Sequence, residues 1–350
     1  MRVRRQHHLR TRVAHLVSHR PLPYWHSSSD CPDSAPSPPP SPRLAAATPP
    51  PSTAPCTYSP PTRHTVLVTI SNQRGLTPFT KKGSDPLERL REELRLLERV
   101  VVAFSGGVDS ALLAYVAKQT LGSENAVAVT AISPSFADAE HTDCSQLAEA
   151  WGLDWREVAT DEMENAAYRL NDGDRCFHCK DALMDSVQPI ADELGATVVL
   201  GVNLDDLGDH RPGQAAAAQR GARFPMVDAE LDKDTVRSVS KQLGLSTWDK
   251  PAAACLASRI PYGTTVTLER LTSVEGAEFA LKQMGFPEIR VRHYEELARI
   301  EVPVEALSRV IDHREGIVTA VKNAGYRYVT LDLEGLRSGN LNDALHQKGV

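Results

Sequence analysis

A continuous apolar run, Val100-Val101-Val102-Ala103-Phe104, stops abruptly at Ser105-Gly106-Gly107-Val108-Asp109-Ser110. Few folds accommodate that junction. A strand with no polar residue on either face belongs in a parallel sheet covered by helices on both sides. Two adjacent glycines let the backbone fold close around a ligand and aim several N–H groups at it. The start of the next helix adds partial positive charge, and Ser105 and Ser110 add hydroxyl donors. The arrangement suits a pyrophosphate, with Asp109 placed to help hold Mg²⁺. A plain glycine turn between strand and helix is the bland alternative, and the complete six-residue string disfavours it. No Gly-Lys-Ser/Thr follows, so this is not a Walker A loop.

The flanking sequence alternates in the same manner. Asp85-Pro86-Leu87-Glu88 supplies an N-cap, a proline at N1 and a glutamate at N3, and leucines at 87, 90, 94 and 97 continue a helical face. After the loop, the pattern predicts helix 110–121, strand 126–132, helix 137–151, strand 155–159, helix 181–194 and strand 197–202. That order predicts an α/β fold with a doubly wound, mostly parallel sheet over 85–262. Beyond Tyr262-Gly263, helix 267–284, strands 289–293 and 297–302, helix 304–324 and strand 326–333 predict a smaller α+β domain over 263–345.

The first 80 residues read differently. Of 24 prolines, 14 lie between Pro21 and Pro61, and residues 1–65 carry eight arginines against two acids. Such a segment lacks both the backbone donors and the apolar side chains that would offset ordering entropy. A disordered tail or an over-long translation start is the plain expectation, an organellar transit peptide the less expected one. The net charge of −6 therefore combines a +6 tail with a −12 body. An acidic body argues against a protein whose main task is to coat nucleic acid. No apolar stretch is long enough to span a membrane. A cytoplasmic enzyme with no membrane or nucleic-acid partner is expected.

Six cysteines are too few for a disulfide scaffold. Cys31 and Cys56 fall in the tail, and Cys144 lies inside a predicted helix and reads as a buried, inert thiol. Cys176 and Cys179, in Arg175-Cys176-Phe177-His178-Cys179-Lys180, share a helix start, a position that lowers thiol pKa. Cys255 follows in Cys255-Leu256-Ala257-Ser258-Arg259. Three such thiols fit a redox pair with a bystander, an incomplete zinc site, or three ligands of an iron–sulfur cluster. The residues alone leave these open. Arg290 and Arg292 alternate along one predicted strand and so share a face, offering guanidinium forks to a phosphate or carboxylate.

The Ser105–Ser110 string resembles the signature of the PP-loop, or ATP-pyrophosphatase, superfamily, in which adenine would rest near residues 130–133. Further strings extend the likeness: Gly201-Val202-Asn203-Leu204-Asp205-Asp206, Asp209-His210-Arg211-Pro212-Gly213, CLASRIPYG from Cys255 to Gly263, Ile289–His293, and Asp332–Gly339. Together they resemble LarE, the ATP-dependent sulfur transferase family of nickel-pincer cofactor synthesis, across nearly the whole body. The resemblance implies adenylation of a carboxylate of pyridinium-3,5-dicarboxylate mononucleotide by ATP and Mg²⁺, followed by sulfur transfer to give a thiocarboxylate for lactate racemase-type enzymes. It implies ATP contacts from Ser105, Gly106, Gly107, Asp109, Ser110, Ser133 and Gly201. On the substrate side it implies Lys180, Arg211, Ser258, Arg259, Glu278, Arg290, Arg292 and Glu301. It also implies a homo-oligomer.

The sulfur comes from either of two sources in such proteins: a sacrificial cysteine at the position of Cys255, or a sulfide on a 4Fe–4S cluster held by three cysteines. The pair Cys176 and Cys179 favours the cluster form, with Cys176, Cys179 and Cys255 as ligands. One departure stands at Arg309, where the single-cysteine form carries an acid. A PP-loop tRNA thiolase is the nearest rival, but zinc knuckles and a basic domain are absent from the sequence. An amidating synthetase lacks an ammonia-supplying context here. A nucleotide-binding module without turnover leaves the substrate-side residues unexplained.

Overall fold

The computed structural model describes residues 85–208, 212–252 and 254–337. The expected tail, Arg211 and the end of the Asp332–Gly339 string lie outside the described residues.

The chain opens with α1 (Pro86–Leu97), β1 (Val100–Ala103), α2 (Val108–Leu121), β2 (Ala126–Ile132), α3 (Asp138–Trp151) and β3 (Asp154–Ala159). It continues through α4 (Ala166–Leu170), α5 (Arg175–Leu194), β4 (Thr197–Leu200), α6 (Pro212–Gln219), α7 (Pro225–Asp228) and α8 (Lys233–Gln242). The four strands form a parallel sheet of order β3-β2-β1-β4. Alternate residues of these apolar strands serve two cores. Val100, Val102, Ala126 and Ala128 pack with leucines of α1 and α2, valines of α8 and Cys144 of α3. Val101, Val127, Val129, Val198 and Leu200 pack with Leu183, Met184 and Val187 of α5 and Ala217 of α6. The sheet is therefore covered on both faces, as the unbroken valine runs require.

Connections run outward from β1 through β2 to β3, and then return to the other side of β1 for β4. That reversal opens a crevice at the carboxyl ends of β1 and β4, the usual ligand position in open α/β sheets. Ser105 and Gly201 stand at those two ends.

A second sheet follows α9 (Leu268–Gln283): β5 (Arg290–Tyr294), β6 (Leu297–Glu301), α10 (Leu307–Asp312), α11 (Arg314–Asn323) and β7 (Tyr328–Leu331). The β5–β6 pair is antiparallel and the β6–β7 pair parallel. Its core joins Val291, Ala298 and Ile300 to Leu281, Val310, Ile317 and Val321.

Two helix expectations need correction. The helix expected over 181–194 begins at Arg175, six residues earlier, in agreement with the helix start read at Cys176 and Cys179; Arg175 is itself a buried anchor, and Cys-Phe-His-Cys-Lys at 176–180 shows no apolar periodicity. The helix expected over 304–324 is broken at His313. There the imidazole Nδ1 donates to the Arg309 carbonyl at 2.9 Å, and the backbone leaves helical geometry between α10 and α11.

Candidate functional site

The phosphate loop is fixed from below and from the side. Gly106 has φ of +67°, and a side chain there would press on the Cys144 sulfur at 3.0 Å. Cys144 is fully buried, and burial pushes its thiol up to about 11, so it serves as inert floor, as expected. Gly201 ends β4 against the start of α2, where a Cβ would stand 2.7 Å from the Ser110 amide nitrogen. The Ser110 hydroxyl donates to the Gly107 carbonyl at 3.2 Å and accepts from the Ser105 amide at 3.2 Å. Gly107, the N-cap of the 14-residue α2, offers no side-chain cap, which leaves the helix start open to an anion.

Asp109 shows what sequence reading missed. Its carboxylate accepts from Lys233 Nζ at 2.5 Å and from Asn203 Nδ2 at 2.9 Å. Lys233 is held at the N-terminus of α8, where Asp232 caps the helix and Asp205 accepts the Lys233 backbone N–H at 2.8 Å. No local motif announces Lys233, because only the return of α8 to the sheet brings it to the loop. The carboxylate already takes a cation, so its chemistry fits a Mg²⁺ ion. Ser133, at the end of β2, accepts from the Ser135 amide at 3.2 Å and shapes the turn where adenine was expected.

The three cysteines come from two segments. Cys176 and Cys179 occupy the first turns of α5, and Cys255 precedes a 3-10 turn over Leu256–Arg259. Cys176 and Cys255 are exposed and Cys179 is half-buried. The segments are stapled together. Arg175, 4% exposed, donates through one nitrogen to Asn171 Oδ1 at 2.6 Å and to the Ala257 carbonyl at 2.8 Å. Asn171, in left-handed geometry after α4, donates to the Pro261 and Thr264 carbonyls at 2.8 and 2.9 Å. The Leu256 amide donates to the Ser135 carbonyl at 2.9 Å, which fixes the Cys255 segment at the carboxyl end of β2. On the other side, Lys250 grips Glu140 and Asp143 of α3 at 2.8 and 2.7 Å.

The thiol expectation fails at Cys179. Burial pushes it up to about 12, and the opposing pull of Lys180 is the smaller effect. Desolvation of the charged form outweighs the helix-start field. Among the described residues, no three His, Cys, Asp or Glu side chains come together closely enough for a single metal ion. In kind, though not in their placement here, three thiols are the donor set of an iron–sulfur cluster with one open iron.

Of the expected substrate residues, Ser258, Arg259, Glu278, Arg292 and Glu301 are linked to one another beside the Cys255 segment. Arg259 donates to both oxygens of buried Glu278 at 2.8 and 3.1 Å, and to the Ala254 and Cys255 carbonyls and Ser258 Oγ. Arg292 donates to buried Glu301 at 3.0 Å and to the Ser258 carbonyl at 2.8 Å. These forks, expected to grip substrate, are engaged within the protein. Arg290 spends one N–H on the Arg337 carbonyl at 3.3 Å, and burial and the charges of Arg259 and Arg292 depress its pKa. Glu301 and Glu278 offset part of that positive charge. Lys180 lays its stem against Gly213 of α6, where a Cβ would be 2.7 Å away.

A protein of Lactiplantibacillus plantarum, pyridinium-3,5-bisthiocarboxylic acid mononucleotide synthase, is 38% identical over 270 residues, covering 77% of this chain and 96% of that protein. The chain belongs to the LarE family. An uncharacterized protein of Synechocystis is 47% identical over 262 residues, 74% of this chain and 97% of its own length. Residues 87–181 match the NAD synthase family, and an NH₃-dependent NAD⁺ synthetase of Methanococcoides burtonii is 40% identical over 62 residues, 18% of this chain and 24% of its own length. LarE membership thus agrees with the parallel sheet and its phosphate loop, and the chain is an enzyme of this superfamily. Among the described residues, no helix is long and apolar enough to cross a membrane.

Proposed function

We propose that this LarE-family enzyme uses ATP to adenylate a carboxylate of pyridinium-3,5-dicarboxylate mononucleotide and then exchanges AMP for sulfur, giving a thiocarboxylate. The observation that carries the reading is the 2.9 Å hydrogen bond from the Leu256 amide to the Ser135 carbonyl. It tethers the Cys255 segment to the sheet end that bears the phosphate loop, so activation and sulfur delivery share one crevice.

In this reading the open start of α2, with Ser105 and Ser110, binds the ATP phosphates, Asp109 would hold Mg²⁺, and Lys233 beside it offers a cation to the added negative charge. Ser133 and Gly201 frame the nucleotide. A substrate carboxylate oxygen bonds to the α-phosphorus as the bond to pyrophosphate breaks. Arg290, with the field of Arg259 and Arg292, orients the substrate's anionic groups, and the engaged forks hold Ser258 and the Cys255 segment in place. Lys180 and Arg211 complete the anionic contacts. Sulfur then bonds to the acyl carbon and AMP leaves with the carboxyl oxygen; a second round on the other carboxylate gives the bis-thiocarboxylate. A 4Fe–4S cluster on Cys176, Cys179 and Cys255 would supply a renewable sulfide sulfur.

A single-use transfer from Cys255 itself is the second reading, supported by the exposure of that thiol and by the lack of tight convergence of the three. Anaerobic incubation with ATP, Mg²⁺, sulfide and the dicarboxylate tests the proposal. Substrate-dependent release of AMP and pyrophosphate in step with thiocarboxylate is expected. ATP hydrolysis indifferent to the dicarboxylate would contradict it.

A further inference from the structure

Lys233, Arg237 and Lys241 recur every fourth residue of α8, so the three cations stand in a row along one face of the helix. Each meets a partner of a different kind. Lys233 Nζ donates to the Asp109 carboxylate of the Ser105–Ser110 loop at 2.5 Å. One turn on, the half-buried Arg237 donates to the Trp248 carbonyl at 2.8 Å and to the Lys250 carbonyl at 3.1 Å. One turn further, Lys241 Nζ lies 4.3 Å from the centre of the Trp248 ring. Val236 and Val239, buried in the core beside α1 and α2, fix the helix that carries this row.

The segment that Arg237 holds leads into Cys255. Between Lys250 and Cys255 the sequence offers only Pro251 and three alanines, with no polar side chain to serve as an anchor and no N–H on the proline. Its course is therefore set from its ends. Arg259 takes the Ala254 and Cys255 carbonyls at one end. At the other, Lys250 grips α3 and Arg237 takes two backbone carbonyls. A planar guanidinium can span two such acceptors, whereas an ammonium offers a single point of charge.

We propose that Arg237 is a positioning residue for sulfur delivery, holding the approach to Cys255 from the same helix whose first turn touches Asp109, so that nucleotide bound at the loop acts on the Cys255 thiol through α8. The inference rests on the ATP-dependent reading above. Mg²⁺ and phosphates at Asp109 change the charge that Lys233 faces, and a packed helix carries a shift of its first turn to the next. Arg237 passes that shift to the Cys255 segment through its bonds to the backbone.

The test is the rate of iodoacetamide alkylation at Cys255, read by peptide mass in the full chain with and without ATP and Mg²⁺, together with ATP affinity. In wild type, ATP and Mg²⁺ should change the Cys255 rate several-fold. Arg237→Gln should bind ATP with near wild-type affinity and lose most of that response. Arg237→Lys keeps the charge but cannot span both carbonyls, so it should lose the response as well. A full response in either variant would overturn the inference, since ATP would then act on Cys255 without Arg237. Loss of ATP binding in both variants would overturn it too, because Arg237 would then serve the loop. A wild type that binds ATP with no change at Cys255 would overturn it and leave the adenylation reading standing. A wild type that binds no ATP would overturn that reading, and the inference with it.

Discussion

In the Ser105–Ser110 loop, six consecutive residues carry the features proposed for phosphate binding, and the rest of the fold braces them: Cys144 beneath, Gly201 beside. At the thiol site no segment is sufficient. Two short stretches of chain must be held together by Arg175, Asn171, Ser135, Lys250 and the Arg259–Glu278 pair. Phosphate binding needs backbone N–H groups, which a local turn can aim. Sulfur delivery needs several side chains around one point, which only tertiary contacts can arrange. The first region should therefore fail through local backbone strain, and the second through loss of remote anchors.

Glu278→Ala presses hardest on this contrast. It leaves Arg259 buried without its carboxylate and removes the acceptor of the Val291 amide, held at 3.0 Å. A loss of about 3–5 kcal/mol is expected in urea denaturation. A change within ~0.5 kcal/mol, as at an ordinary surface position, would show that the pair does not hold the region. Gly201→Ala comes next. A Cβ against the Ser110 amide should cost about 1–3 kcal/mol and abolish measurable ATP binding, while Cys255 alkylation proceeds at the wild-type rate. Retained ATP affinity would mean that the loop yields more readily than its packing implies.

Arg175→Gln attacks the other side. Loss of the buried charged donor should destabilise by about 1.5–3 kcal/mol and alter the alkylation rates of Cys176 and Cys255, with ATP binding retained. Unchanged thiol reactivity would mean that the two cysteine segments dock without the staple.

This contrast also explains how far the sequence could be read. The valine runs, the glycine loop and the helix start at Asp85-Pro86 encode their structure within a few residues, and the parallel sheet and crevice follow from them. The CLASRIPYG and Arg290–Arg292 strings single out arginines but not their engagement, because a guanidinium reads the same in sequence whether it faces solvent, substrate or a buried glutamate. Lys233 and Asn171 carry no local signal. They matter through what stands opposite them, and that is settled by the return of α8, the left-handed turn after α4 and the docking of the Cys255 segment. The low thiol pKa expected for Cys179 fails for the same reason: helix position is visible in sequence, whereas depth is not.

The smallest expected effect lies away from both sites. His293, 5% exposed, faces Tyr326 Oη at 3.2 Å, and its Nε2 is buried without a partner. Burial, then the Arg270 charge, holds its pKa below the ordinary value of 6.5. The unfolded chain thus binds the proton more readily. Its contribution to stability is present above about pH 6.5 and is lost as pH falls toward the lower folded value. Melting temperature should decline more steeply below about pH 6.5 in wild type than in His293→Gln. Parallel pH profiles would remove His293 from the account.

On the proposed function, the thiol site is a renewable sulfur donor served by the Ser105–Ser110 loop. Its most direct test is the number of thiocarboxylates formed per chain under anaerobic conditions with excess ATP, Mg²⁺, sulfide and dicarboxylate, with the intact mass of the protein measured afterwards. The account predicts several products per chain, one AMP for each, and an unchanged Cys255. At most one product per chain, with the mass of one H₂S missing at Cys255, would contradict it.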